Sequence, residues 1–258
     1  MKRITSMTEK LDTTVDALLS RPEEKTIHDI RTTSRRIQAL TEILPKSIRK
    51  KTKVRTYLAC ARALFKTTTQ IRDIDVVQSK LNRFEESPDV KQLLEAMKKT
   101  RENLLKATYK AADSLRMMGI PKFKANQISE SKLSKRRKKL LRKYQSILEK
   151  QMKVLLASPT LEKLHEFRKN CKMLRYTLEL DSRKTDPLMT QLVRIQGSLG
   201  VVMDVQATLN SLSGLSASEA LEKITADLTE QREKANEDYL AMKSKLSSSL
   251  ARLSSKRN

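Results

Sequence analysis

The sequence predicts an all-α protein made of two similar four-helix bundles related by a pseudo-twofold. Three observations lead there. Gly and Pro are scarce, 4 and 6 in 258 residues, and between the prolines nearly every window carries apolar positions at helical spacing. Only two histidines occur, His28 and His165, and both open the same pattern: HDIRTTSRRIQALTE and HEFRKNCKMLRYTLE. A second mark also recurs, IRDIDV around Asp73 and LGVVMDV around Asp204. Repeats of this kind decide the architecture before any single element does.

Taken in order, a first helix is expected over about 5–19. Pro22 suits the first turn of a second, which carries His28 and ends before Pro45. A third spans about 46–81, and Ser87-Pro88 opens a fourth that fades at Gly119-Ile120-Pro121. The stretch 119–129 is the one long break and the expected boundary between a first bundle, 1–120, and a second, 129–258. The second bundle starts with a long basic helix from about Glu130 to Ser158-Pro159. Pro159 begins the helix of His165, and Asp186-Pro187 begins the next, ending near Gly214. Ser216 or Ser218 caps a last helix whose buried positions are Leu221, Ile224, Leu228, Tyr239, Met242 and Leu246.

Charge narrows the function. There are 54 Lys+Arg against 30 Asp+Glu, a formal charge of +24. Self-repulsion on this scale favours an anionic partner. The bases cluster: nine lie between Ile43 and Arg72 and eight between Ser131 and Tyr144, with no acid in either run. A solvated helix face normally carries offsetting acids, so both runs read as one electropositive track. Apolar residues are 38%, a lean core but a periodic one. Cys60 and Cys171 form no metal-type or disulfide framework and read as buried thiols in a reducing compartment. No apolar run reaches a membrane span, and the N-terminal segment has no apolar core of a signal peptide, so the cytoplasm is expected.

Counting each histidine as zero, both helices have an acid at plus one, Arg at plus three (Arg31, Arg168), a base at plus seven (Arg35, Lys172) and Glu at plus fourteen (Glu42, Glu179). At about 100° per residue, positions zero, three, seven and ten share one face. One stripe is therefore His28, Arg31, Arg35 and Gln38, the other His165, Arg168, Lys172 and Arg175. Apolar residues lie opposite: Ile30, Ile37, Leu40 and Leu44 in the first, Phe167, Cys171, Leu174 and Leu178 in the second. Glu42, Glu179, Asp73 and Asp204 are candidates to hold guanidiniums in place, with helix packing or capping as the alternative role. An arginine fixed by a carboxylate is pre-organised for phosphate. The histidines have three readings: anion contact, a structural core role, or a metal ligand. Surrounding bases disfavour a metal cation and no third ligand converges.

These residues resemble those of the CHAD family, the conserved histidine α-helical domains. The paired histidine helices, RDIDVV, LGVVMDV and RYTLE at Arg175 to Glu179 carry the resemblance. It implies two four-helix bundles with a basic cleft between them, binding of inorganic polyphosphate without catalysis, and association with polyphosphate granules in some members. The implied ligand residues are His28, Arg31, Arg35 and Arg36, then His165, Arg168, Lys172 and Arg175. Weaker candidates from the basic runs are Lys51, Arg55, Arg62, Lys135, Lys139 and Arg142, with Arg194 beyond them. The chain departs from the family at two places, Met173 at plus eight of the second half and Gln38 at plus ten of the first, where a base is usual. The triphosphatase signature of many relatives is absent, so no hydrolase activity, catalytic residue or cofactor is expected.

Nucleic acid is the alternative partner. Basic helices permit it, but there is no helix-turn-helix spacing, zinc finger or aromatic RNA-binding motif. Aromatics are only 3% with no Trp, which leaves few platforms for base stacking. No helix joins Trp or Phe to Lys as a membrane-surface helix does. An enzyme is least favoured: there is no phosphate-binding glycine loop and no nucleophile elbow.

Overall fold

The computed structural model describes residues 2–123, 129–180 and 187–255. The protein is all-α, with nine α-helices and no strand among the described residues. The chain divides into two compact units, 1–136 and 137–258.

The first unit holds α1 (Lys2–Ser20), α2 (Glu24–Ile43), α3 (Lys46–Arg49), α4 (Thr52–Leu81), one 3-10 turn (Asn82–Phe84), α5 (Pro88–Met118) and the first turns of α6 (Glu130–Ala157). Helix α1 packs on α2 and α5, and α4 on α2 and α5. Their apolar stripes meet in a core that includes Leu11, Leu18, Ile27, Ile30, Leu64 and Ile71, each fully enclosed. Pro88 occupies the first turn of α5 behind Ser87, and Gly119 ends the helix at φ 59°, a left-handed conformation that glycine adopts without strain. Arg136 donates to the carbonyls of Ile43 (2.7 Å) and Leu44 (3.0 Å), closing the C-terminal end of α2 with a cation.

Two details of this unit differ from the sequence reading. Pro22 precedes the Glu23 cap of α2 instead of lying in its first turn. The single helix expected over 46–81 is broken, because Lys51 is extended (φ −58°, ψ 129°) and α4 starts afresh at Thr52. A continuous helix would stack Lys46, Arg49, Lys50 and Lys53 at spacings of three and four, where like charges repel. The break separates them, while Ile48 stays buried as the anchor of α3.

The second unit holds the rest of α6, α7 (Leu161–Glu179), α8 (Pro187–Leu212) and α9 (Glu219–Ser255). Helix α8 packs on α7 and α9. Phe167 and Tyr239 meet edge to face with centroids 6.1 Å apart. Thr160, not Pro159, caps α7: its Oγ1 accepts from the Lys163 amide at 3.3 Å. Of the two serines considered for α9, Ser218 serves, accepting from the Leu221 amide at 3.2 Å. Ile224, Leu228, Tyr239 and Leu246 are buried as expected. Leu221 and Met242 are only half-buried, since they sit at the margins of the α9 stripe. Asp186, expected with Pro187 at the start of α8, lies outside the described residues. Cys171 is buried, which pushes its thiol pKa up, whereas Cys60 is half-buried. No described helix is long and apolar enough to cross a membrane.

Candidate anion-binding site

Each histidine helix buries the apolar side read from its sequence. Ile30, Ile37, Leu40 and Leu44 are enclosed in one, Phe167, Cys171, Leu174 and Leu178 in the other. The opposite side leaves His28 and His165 at the surface, with Arg31, Arg35 and Arg36, and Arg168, Lys172 and Arg175, half-buried beside them. Burying one stripe of an amphipathic helix forces this result: the cations share the face that the core cannot accept.

In the first unit, Arg31 Nη1 donates to Thr69 Oγ1 on α4, and Thr69 Oγ1 in turn donates to the Phe65 carbonyl at 2.7 Å. The Arg31 and Arg35 guanidiniums lie 5.1 Å and 5.3 Å from the centroid of the Phe65 ring, in cation–π range. His28 Nε2 is 3.4 Å from Thr32 Oγ1. Arg72, paired with Glu24, adds positive potential near His28. Partial desolvation first and Arg72 second hold the His28 pKa below its ordinary value.

In the second unit, Arg168 Nε donates to the Gln196 carbonyl on α8 at 3.2 Å. Its guanidinium lies over Gly200: a Cβ there would come within 2.8 Å of Nη2. Arg175 is held from three sides. It donates to Glu179 Oε1 at 2.6 Å and to Gln196 Oε1 at 2.9 Å, and lies 4.4 Å from the Tyr176 ring centroid. His165 also has a lowered pKa, from desolvation first and Lys169 next.

The proposed supporting carboxylates separate. Glu179 is bonded to Arg175. Glu42 is half-buried, Asp73 exposed and Asp204 half-buried. The buried carboxylate of α4 is instead Asp75, 5% exposed, which accepts from Arg101 Nε at 2.7 Å while Arg101 Nη2 reaches the Pro22 carbonyl at 3.2 Å. Its counterpart six residues after Gly200 is Gln206, which accepts from Arg232 at 2.7 Å. Both pairs span 26 residues of sequence. Gln196 and Asp75 were missed by the sequence reading. A polar side chain on the apolar side of α8, and an acid four residues beyond the core residue Ile71, were the available signals.

The remaining candidates lie outside these clusters. Lys51, Arg55 and Arg62 are exposed at the start and middle of α4, Lys135, Lys139 and Arg142 form an exposed stripe on α6, and Arg194 is exposed on α8. Among the described residues no group of three His, Cys, Asp or Glu side chains is arranged to hold a metal.

A family description of the CHAD domain matches residues 2–183. The chain belongs to the CHAD family. No curated protein and no solved structure matches it. The CHAD match takes in both histidine helices and stops before α8, so Gln196, Gly200 and Asp204 lie beyond the matched span.

Proposed function

We propose that this CHAD protein binds inorganic polyphosphate without transforming it, through the cationic sides of α2 and α7. The CHAD family is associated with polyphosphate binding. The observation that carries the reading to particular residues is the way each plus-three guanidinium is seated on the following long helix: Arg31 at Thr69, Arg168 at Gly200. An arginine held in one orientation loses less freedom when it meets a phosphate. The polymer offers repeating charge and no bases, which suits rows of Arg, Lys and His with few aromatics. His28, Arg31, Arg35 and Arg36, with His165, Arg168, Lys172 and Arg175, form the contact set, and the exposed bases of α4 and α6 extend it. The cytoplasm, at polyphosphate granules where they occur, is the setting this implies.

The reading treats the chain as an internal duplication, 1–120 and 129–258. Its support is the shared placement of Arg31 with Thr69 and Arg168 with Gly200, and the equally spaced Asp75–Arg101 and Gln206–Arg232 pairs.

Calorimetric titration with long-chain polyphosphate at physiological salt tests the proposal. Replacing Arg31 and Arg168 together by Ala is expected to weaken binding by at least about tenfold, a loss near 1.4 kcal/mol. Equal binding by wild type and double variant sinks it. Displacement of the polymer by duplex DNA at equal phosphate concentration favours nucleic acid instead. Release of orthophosphate by the pure protein overturns the non-catalytic assignment.

A further inference from the structure

A groove of about 570 Å³ opens in the first unit between α2, α3 and α4. This lies within the usual range of small-molecule sites, ~300–1,000 Å³. Its rim carries five cations, Lys46, Arg49, Lys50, Arg55 and Arg62, against one carboxylate, Glu42. Its floor is apolar: Ile37, Leu58, Ala61 and the Phe65 ring. Polar side chains, Ser34, Gln38 and Thr41, also face into it.

Such a lining does not match a bare polyphosphate. The polymer has no apolar surface to cover Phe65 and Leu58, and no N–H to donate to Glu42. An alkyl phosphate would satisfy the floor but leave the polar wall unpaired. Two buried atoms sharpen the point. Ser34 Oγ, on a residue only 8% exposed, and Arg49 Nε have no hydrogen-bond partner among the described residues, and both residues line the groove. Buried polar atoms are seldom left unpaired. They call for a ligand with hydrogen-bonding edges, a flat apolar body and several negative charges.

We propose that this groove binds a nucleoside polyphosphate, with the base over the Phe65–Leu58 floor and the phosphates on the rim cations. The site goes beyond the polymer reading and shares with it only the exposed cations Arg55 and Arg62. Gln38 is what makes room. Its counterpart Arg175 bonds to Glu179 four residues on and lies on a neighbouring ring. An arginine at 38 would have Glu42 at the same spacing and would lie across the groove mouth.

The test uses the full chain and four ligands: ATP, GTP, tripolyphosphate and long-chain polyphosphate. ATP or GTP is expected to bind at least tenfold more tightly than tripolyphosphate, which has comparable charge but no base. Gln38→Arg is expected to weaken nucleotide binding at least tenfold while leaving long-chain polyphosphate unchanged or tighter, since a cation has been added. Circular dichroism confirms that the variant is folded. Tripolyphosphate binding as tightly as both nucleotides overturns the proposal, as does a folded Gln38→Arg variant that keeps its nucleotide affinity or loses nucleotide and polymer alike. Nucleotide binding with no polymer binding would defeat the polymer reading and leave the groove standing.

Discussion

The helix of His28 and the helix of His165 carry one pattern but hold their arginines by different means. On α2, Arg31 is seated on a hydroxyl, Thr69, and shares the Phe65 ring with Arg35. On α7, Arg168 lies against bare backbone at Gly200, and Arg175 is tied to Glu179 and Gln196. Further along the same helices the contrast repeats: an ion pair, Asp75–Arg101, supports the first unit where an amide–guanidinium bond, Gln206–Arg232, supports the second. A repeated sequence can thus keep the position of a cation while changing what positions it. The change is permissive in one direction. Where Gln38 replaces the plus-ten arginine, the first helix borders an open groove; where Arg175 remains, the space beside the helix is filled by its bonded guanidinium.

The contrast is tested most strongly at the buried supports. Asp75→Ala removes the partner of a guanidinium only 20% exposed, and breaking a buried pair from one side costs about 3–5 kcal/mol. Gln206→Ala breaks a half-buried bond to a charged group and costs about 1.5–3 kcal/mol. Urea unfolding of both variants checks the order; a larger loss at Gln206 would erase the distinction.

Gly200→Ala separates binding from stability. The added methyl meets the far end of a flexible arginine, so the guanidinium swings away with little strain. Removing a helical glycine stabilises by about 0.5–1 kcal/mol. The melting temperature is expected to hold or rise while polyphosphate affinity drops on the order of tenfold, one charge-assisted contact. A variant with unchanged affinity would show that the seating of Arg168 is irrelevant to the ligand.

Next in size is a pH effect common to both helices. The lowered pKa values leave His28 and His165 neutral in the free protein above the ordinary histidine range. A bound polyanion raises them, so binding takes up protons and strengthens as pH falls from about 8 to about 6. Affinity is expected to rise several-fold over that interval in calorimetry, and less in a His28→Gln, His165→Gln variant. The same lowered values oppose stability in acid: the unfolded chain protonates first, so folding weakens as pH drops below about 6.5. The smallest effect is expected from Thr69→Ala, which frees one side of Arg31 but leaves Phe65 beneath it. A two- to threefold loss of polymer affinity, roughly 0.5 kcal/mol, would fit.

Helix class and the buried side of each histidine helix were legible because both depend on local periodicity, which Ile30, Ile37, Phe167 and Leu174 display directly. The break at Lys50-Lys51 was not, because it carries neither Gly nor Pro; repulsion among neighbouring bases has no such marker. The choice of Asp73 over Asp75 failed for another reason. Two acids two residues apart point to different sides of a helix, and only the packing of α5 shows which one meets Arg101. Gln196 was hidden because it uses its backbone for Arg168 and its side chain for Arg175, a double role that no spacing rule encodes.

The most direct measurement is a crystal structure of the protein with a short polyphosphate bound. Phosphate oxygens within hydrogen-bonding distance of Arg31 and Arg168, with His28 and His165 beside them, are the predicted result. A polymer held only by the exposed lysines of α6, with both histidine helices untouched, would contradict the account.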